Sequence, residues 1–165
     1  MSNNKTVFFA IGVLLIILGA FMLIPFFIQF IYEEKNNTFL LSATVTAFIG
    51  TLLMLTNLEV NRKLNLQQVF LLTTLSWLGI AIFGCLPFLL SDLNLSFVDA
   101  FFESMSGITT TGSTIITNLD NAPKSILIWR AILQWLGGIG VIVMAITILP
   151  LLNIGGMQLF RMESY

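Results

Sequence analysis

Four long apolar stretches constrain this sequence more than any other feature. Residues 6–32, 38–56 and 66–90 contain no charged side chain, and residues 124–152 contain only Lys124 and Arg130. A helix needs about 20 mainly apolar residues to cross the hydrocarbon core of a bilayer, and each stretch is about that long or longer. The pattern therefore predicts four membrane-spanning helices, the first with Pro25 inside it and the last ending at Gly155 and Gly156.

The composition excludes several classes of protein. Hydrophobic residues make up 57% of the chain and charged residues 9%, against about 25% charged in an ordinary soluble domain, so a soluble globular protein is excluded. A formal net charge of −1 offers no basic surface to nucleic acid. Histidine is absent and there is one cysteine, Cys85, which excludes His-based catalysis, zinc clusters and internal disulfides. We therefore expect neither an enzyme nor a bound cofactor.

The interval between the third and fourth stretches contains a helix that is too short to cross. Ser96 followed by Asp99 three residues later is typical of a capping box, and apolar residues at helical spacing continue to Met105. Ten helical residues extend only about 15 Å, half of the hydrocarbon core. Threonines and glycines follow, so we expect a half-helix and then a re-entrant loop, and the predicted fold is an all-α membrane protein.

The loop that follows the half-helix has the residue types of a cation filter. It contains, in order, Thr109, Thr110, Thr111, Gly112 and Ser113, and these five residues are named here the filter loop. Backbone carbonyls can replace the hydration shell of a cation. Threonine favours extended backbone, which would aim successive carbonyls at one axis, and we expect the carbonyls of residues 110–112 to bind the ion.

Four polar residues near the filter loop are candidates for its support. Arg130 lies six residues into the fourth stretch, where a charge needs a partner, water or a reach to the interface. It either braces the loop by pairing with Asp99, Glu103 or carbonyls, or extends to the outer headgroups. Gln134 either supports the filter or makes a polar contact between two helices.

Three glycines in the fourth stretch predict a site of close helix packing. Gly137, Gly138 and Gly140 leave a notch that another backbone can approach. A gating hinge is the alternative interpretation of the same three residues.

The distribution of charge predicts the orientation. Lys5, Arg62, Lys63 and Arg161 lie at the termini and in the turn between the second and third stretches, whereas residues 91–122 contain four acids and no Lys or Arg. Cytoplasmic loops carry an excess of Lys and Arg. We therefore expect both termini in the cytoplasm and the filter loop entering from outside, through an acidic vestibule that either concentrates cations or merely keeps the loop hydrated.

Three blocks of sequence resemble a known family. They are F-F-E-S-M-S-G-I-T-T-T-G-S-T at 101–114, Arg130 with Q-W-L-G-G-I-G at 134–140, and G-G-M-Q-L-F-R at 155–161. Together they resemble the membrane subunits of the Trk/Ktr/HKT potassium-transporter superfamily, in particular the TrkH/TrkG branch. The resemblance implies K⁺ uptake across the inner membrane, a glycine at position 112 that favours K⁺, and a cytoplasmic nucleotide-binding gating subunit as partner.

The resemblance also divides the chain into three parts. Residues 1–60 correspond to an amino-terminal hairpin, residues 61–153 to a first pore repeat, and residues 154–165 to a cytoplasmic-side end leading towards a second repeat. Members of the family carry four pore repeats in one chain, whereas one is visible here. Either this sequence is the amino-terminal part of a longer chain, or three further copies complete the pore within the lipid membrane.

Two other functions compete with a pore unit. A membrane scaffold or regulatory subunit would pack against other proteins through Gly137 and Gly138, but it would not require the filter loop after a half-helix. An intramembrane enzyme would use Asp99 and Glu103 as paired carboxylates, but no nucleophile or metal cluster accompanies them in the sequence.

Overall fold

The architecture is all-helical across residues 4–34, 36–58 and 64–162, which are the residues described by the computed structural model; side chains are described as far as residue 146. Six α-helices and one short 3₁₀ turn, Leu119–Asn121, follow one another along the chain. The helices are α1 Lys5–Ile31, α2 Thr38–Thr56, α3 Leu66–Gly84, α4 Leu86–Leu89, α5 Phe97–Ile108 and α6 Lys124–Met162.

Four segments of these helices are long and apolar enough to cross a membrane. They are Lys5–Ile31, Thr38–Thr56, Leu66–Leu89 and Lys124–Ile146. The predicted fold class, with four spans and a half-helix between the third and fourth, is confirmed. Arg62 and Lys63, which carry much of the predicted orientation, lie outside the described residues, and so does the side chain of Arg161.

Helices α1 and α2 form a hairpin in which the two backbones touch. A Cβ atom built on Gly12 would lie 2.7 Å from the carbonyl oxygen of Gly50, and one built on Gly50 would lie 2.8 Å from that of Gly12. Small residues let membrane helices approach this closely. Any side chain at either position would push the hairpin apart.

The third predicted stretch is divided into two helices. Asn65 and Gln68 form a capping box at the start of α3, in which the backbone amide of Gln68 donates to Oδ1 of Asn65 at 2.8 Å. The helix then ends at Gly84, and α4 begins after Cys85. Pro87 lacks the N–H that would continue the α3 ladder, and this explains the interruption.

The half-helix α5 has twelve residues, which extend about 18 Å, and it ends at Ile108, three residues later than expected. The Ser96–Asp99 capping box begins it as predicted. Trp129 of α6 is fully buried and donates from Nε1 to the carbonyl of Gly84 at 2.9 Å. This hydrogen bond joins α6 to the end of α3, and both of these helices pack against α5.

Helix α6 continues through Gly155 and Gly156 to Met162, so the expectation that the two glycines end the span is wrong. A glycine in a helix interior costs only about 1 kcal/mol relative to alanine. Two glycines therefore end a helix only where a turn at that point has a lower free energy than continuing the helix.

Candidate functional site

The half-helix ends in a tight turn that determines the shape of the filter loop. The amide of Thr111 donates to the carbonyl of Ser106 at 3.0 Å, and the amide of Thr110 donates to that of Gly107 at 2.9 Å. These are the two hydrogen bonds of a Schellman motif, which requires a left-handed residue between them. Thr110 occupies that position with φ of 59°.

The expectation of extended backbone throughout the filter loop is therefore wrong at Thr110. A residue with a Cβ atom loses about 1–2 kcal/mol in the left-handed region. The two Schellman hydrogen bonds hold Thr110 there against its own preference. Gly112 has φ of 77°, a conformation that glycine adopts readily, so the loop turns twice.

The first half of the filter loop presents unpaired carbonyls. Within the described part of the chain, no hydrogen bond reaches the main-chain oxygens of Thr109, Thr110 or Thr111, and all three residues are exposed. Their side chains are engaged locally, since the hydroxyls of Thr109 and Thr111 lie 2.9 Å apart. The loop thus offers free main-chain oxygens at the end of a half-helix.

The carbonyl of Ser113 is already occupied. The hydroxyl of Ser106 donates to it at 2.6 Å. This hydrogen bond ties the end of the filter loop back to α5.

A buried carboxylate holds the segment after the filter loop. Glu103 of α5 is 1% exposed, and its Oε2 accepts hydrogen bonds from the Thr114 hydroxyl at 3.0 Å and the Ile115 amide at 3.2 Å. Its Oε1 forms an ion pair with Nε of Arg130. A buried carboxylate needs such partners. Here they come from α6 and from residues 114–115, directly after the filter loop.

Arg130 connects that carboxylate to the filter loop. Its Nη2 lies 3.5 Å from the carbonyl oxygen of Gly112, and the side chain is 15% exposed. Of the three partners considered for Arg130, the structure places Glu103 and a loop carbonyl against it. Asp99 is engaged elsewhere, in the capping box with Ser96, so pairing between Asp99 and Arg130 is wrong.

Gln134 lies directly beside Gly112. A Cβ atom at position 112 would be 3.1 Å from Nε2 of Gln134. The side chain therefore borders the filter loop from α6, one turn beyond Arg130.

The three glycines of the predicted notch have different surroundings. A Cβ atom on Gly137 would fall 1.8 Å from the carbonyl oxygen of Ile108, the last residue of α5. The same atom on Gly140 would meet only Trp77 at 3.9 Å, and on Gly138 it would meet nothing within 4 Å. Of these three glycines, Gly137 is therefore the one at which another backbone packs closely.

Three residues that make structural contacts lack a signal in the sequence. Ser106 and Thr114 both hold the carboxyl end of the filter loop, although neither spacing nor residue type distinguishes them from other hydroxyl residues. Glu34, in the turn between α1 and α2, accepts hydrogen bonds from the amide of Ser125 at 3.3 Å and from its hydroxyl. That contact joins residues 91 positions apart, so no local pattern predicts it.

Comparison with known families matches residues 34–165 to TrkH, described as a cation transport protein. That match covers most of the chain. The chain belongs to the TrkH family.

Individual relatives agree with this assignment. This TrkH-family chain is 42% identical over 155 residues to the Trk system potassium uptake protein TrkH of Escherichia coli K12, covering 93% of this chain and 32% of the relative. It is 34% identical over 164 residues to TrkG of the same strain, covering 98% of this chain and 34% of TrkG. Both relatives are named as potassium uptake proteins.

A solved structure has the same fold. The crystal structure of the potassium transporter TrkH from Vibrio parahaemolyticus superimposes with a TM-score of 0.87 at 39% identity, covering 94% of this chain and 34% of that one. The chain therefore spans about a third of the length of the relatives that it matches.

Proposed function

We propose that this chain supplies one quarter of a K⁺-selective filter in a Trk-type potassium uptake system. The observation that carries the proposal is the filter loop itself, whose exposed main-chain oxygens at Thr109, Thr110 and Thr111 have no hydrogen-bond partner in the described part of the chain. Carbonyl oxygens grouped around an axis can replace the water around K⁺. The named activity of relatives sharing 34–42% identity over nearly the whole chain supports K⁺ as the ion.

The surroundings of the loop suit a cation in two ways. The carboxyl end of α5 carries about half a negative charge from the helix dipole, and it points to where the free carbonyls lie. Behind the loop, the ion pair of Glu103 and Arg130 contacts both Gly112 and Ile115. Contacts with α5 and α6 thus hold the loop on one side, whereas residues 109–111 are exposed on the other.

Four such loops are needed to enclose an ion. One loop presents oxygens from a single direction, and the chain spans only a third of its relatives. The rest of the ring is provided by further pore repeats in the same polypeptide or by three further copies. We expect the purified chain either to form a tetramer or to show no cation flux in reconstituted vesicles until the missing repeats are present. K⁺-selective flux from a demonstrated monomer of this chain alone would contradict the proposal.

The proposal includes a location and a partner. The relatives and the four apolar helices support an integral membrane protein. We place it in the inner membrane with both termini in the cytoplasm, where a nucleotide-binding gating subunit would contact the end of α6. The filter loop then enters from the outer side.

Gly112 provides the direct test of the filter. Gly112→Ser adds a side chain at a residue with φ of 77°, and its Cβ atom would lie 3.1 Å from the Gln134 side-chain amide, so it disturbs the backbone that carries the free carbonyls next to it. We expect discrimination of K⁺ over Na⁺ to fall in the complete transporter, measured as the ratio of Rb⁺ to Na⁺ uptake.

Thr111→Val is the matched control. It keeps the β-branched shape and all main-chain oxygens, and it removes a hydroxyl whose one hydrogen bond within the described part of the chain is with Thr109. We expect a milder effect on the same ratio. Loss of selectivity in Thr111→Val with an unchanged ratio in Gly112→Ser would place selection in side chains and refute the carbonyl filter.

A further inference from the structure

A partly enclosed apolar cavity lies between α1, α3 and α6, separate from the filter loop's free carbonyls. Its volume is about 460 Å³, within the range of roughly 300–1,000 Å³ that is usual for ligand pockets. Leu14 of α1, Leu72 and Trp77 of α3, and Gly140 and Val143 of α6 are among the residues that line it. Among the residues that the structure describes, no charged side chain lines it, and hydroxyl groups enter only at Thr73 and Ser76.

Water is a poor occupant for this cavity. The Thr73 hydroxyl already donates to the carbonyl of Val69 at 2.9 Å. A buried water needs two to four polar partners, and apolar cavities stay dry and take up apolar molecules instead. All three lining helices contain segments that are apolar enough to cross a membrane, so the available apolar material is the hydrocarbon of the bilayer.

The shape of the cavity distinguishes a lipid chain from another helix. On α3 the lining residues run from Val69 to Ile80, a distance of about 16 Å at the helical rise per residue. About 460 Å³ spread over that length is a long and narrow space. A single extended hydrocarbon chain parallel to the helices matches that shape, whereas a helix with its side chains, about 10–12 Å across, would have to push the three lining helices apart.

The sequence next to the cavity favours a phospholipid. Leu64 lines the cavity, and in the sequence it directly follows Arg62 and Lys63. Basic residues at the end of a membrane helix attract anionic headgroups. We propose that one acyl chain of a membrane phospholipid occupies this cavity, alongside Trp77 and beneath the end of the half-helix at Ile108.

The structure provides a variant that fills the cavity and a matched control. A Cβ atom on Gly140 would have only the Trp77 ring near it, at 3.9 Å, so Gly140→Leu places its side chain in the cavity. Gly138 lies two residues away on the same helix, does not line the cavity, and has no atom within 4 Å of its Cβ position. Gly138→Leu therefore makes the same chemical change outside the cavity.

The test is photolabelling of the complete transporter in vesicles that contain phosphatidylglycerol with a diazirine in the middle of one acyl chain. Peptide mass spectrometry then maps the label. We expect label on residues 69–80 and 136–144, a several-fold loss of that label in Gly140→Leu, and wild-type labelling in Gly138→Leu. Label on the exposed α2 side chains Phe48 and Leu55 should be equal in all three proteins.

Two results would overturn the proposal. One is an unlabelled cavity alongside a labelled α2, which would mean that a side chain from elsewhere in the transporter fills the space. The other is undiminished cavity label in Gly140→Leu. Leu72→Trp, which narrows the cavity from the α3 side, provides a second reading if Gly140→Leu does not fold, and it should lower the cavity label in the same way.

Discussion

Replacing Gly137 with alanine tests the contact on which the position of the filter loop depends. The alanine Cβ atom would fall 1.8 Å from the carbonyl oxygen of Ile108 and 2.7 Å from its carbonyl carbon. Ordinary van der Waals contact begins at 3.4 Å. Because both partners are backbone, neither can rotate away, and α5 and α6 must separate by about 1.6 Å.

The energetic cost of Gly137→Ala follows from two opposing terms. Overpacking a tight contact costs about 1–3 kcal/mol and sometimes more, and a clash between two backbones belongs at the upper end of that range. Alanine returns about 0.5–1 kcal/mol through its better helix propensity. The net loss of stability is therefore about 2 kcal/mol, enough to change the ratio of folded to unfolded protein by an order of magnitude.

The assay compares Gly137→Ala with Gly138→Ala in the purified complete transporter. Both variants gain the same helix propensity, but the Cβ atom at position 138 meets nothing within 4 Å. We expect a lower apparent melting temperature and impaired Rb⁺ uptake for Gly137→Ala, since Ile108 directly precedes the filter loop, and wild-type or higher stability for Gly138→Ala. Equal behaviour of the two variants would refute the close approach of α5 and α6.

Three further predictions follow from the site and its orientation. Glu103→Gln should lower both stability and the Rb⁺ to Na⁺ uptake ratio, because it removes the charge that pairs with Arg130; breaking a fully buried pair costs about 3–5 kcal/mol, and the loss should be smaller here because the Arg130 side chain is 15% exposed. Asp99→Asn changes a carboxylate of the same half-helix and should leave the ratio near wild type. Thr110→Gly should raise the free energy of unfolding by up to about 1 kcal/mol in denaturant titrations, since it relieves the left-handed strain, and a loss of stability would argue against that conformation. In single-cysteine variants, Asn94→Cys should be labelled only from outside the membrane and Arg62→Cys only from the cytoplasmic side. The reverse labelling pattern would contradict the predicted topology.

Helix positions could be predicted from the sequence because they depend on local properties. The second span was expected at residues 38–56 and lies at Thr38–Thr56, and the first differs by one residue at each end. The start of α5 was predictable from Ser96 and Asp99, which are three residues apart and interact within one helical turn. Length and apolarity also fixed the number of spans, because a bilayer has a fixed thickness.

The surroundings of the filter loop were decided by tertiary structure. Its turn at Thr110 is local, because hydrogen bonds to Ser106 and Gly107, at most five residues back, hold the threonine in the left-handed region against its preference for extended backbone. The sequence offered Asp99, Glu103 and carbonyls as partners of Arg130, and only the packing of α6 against α5 selected among them. In the same way, Gly137 was one of three similar glycines until the position of Ile108 distinguished it. Spacing along the chain determines what a helix turn brings together, whereas contacts between residues tens of positions apart depend on how the helices pack, and a single sequence does not record that.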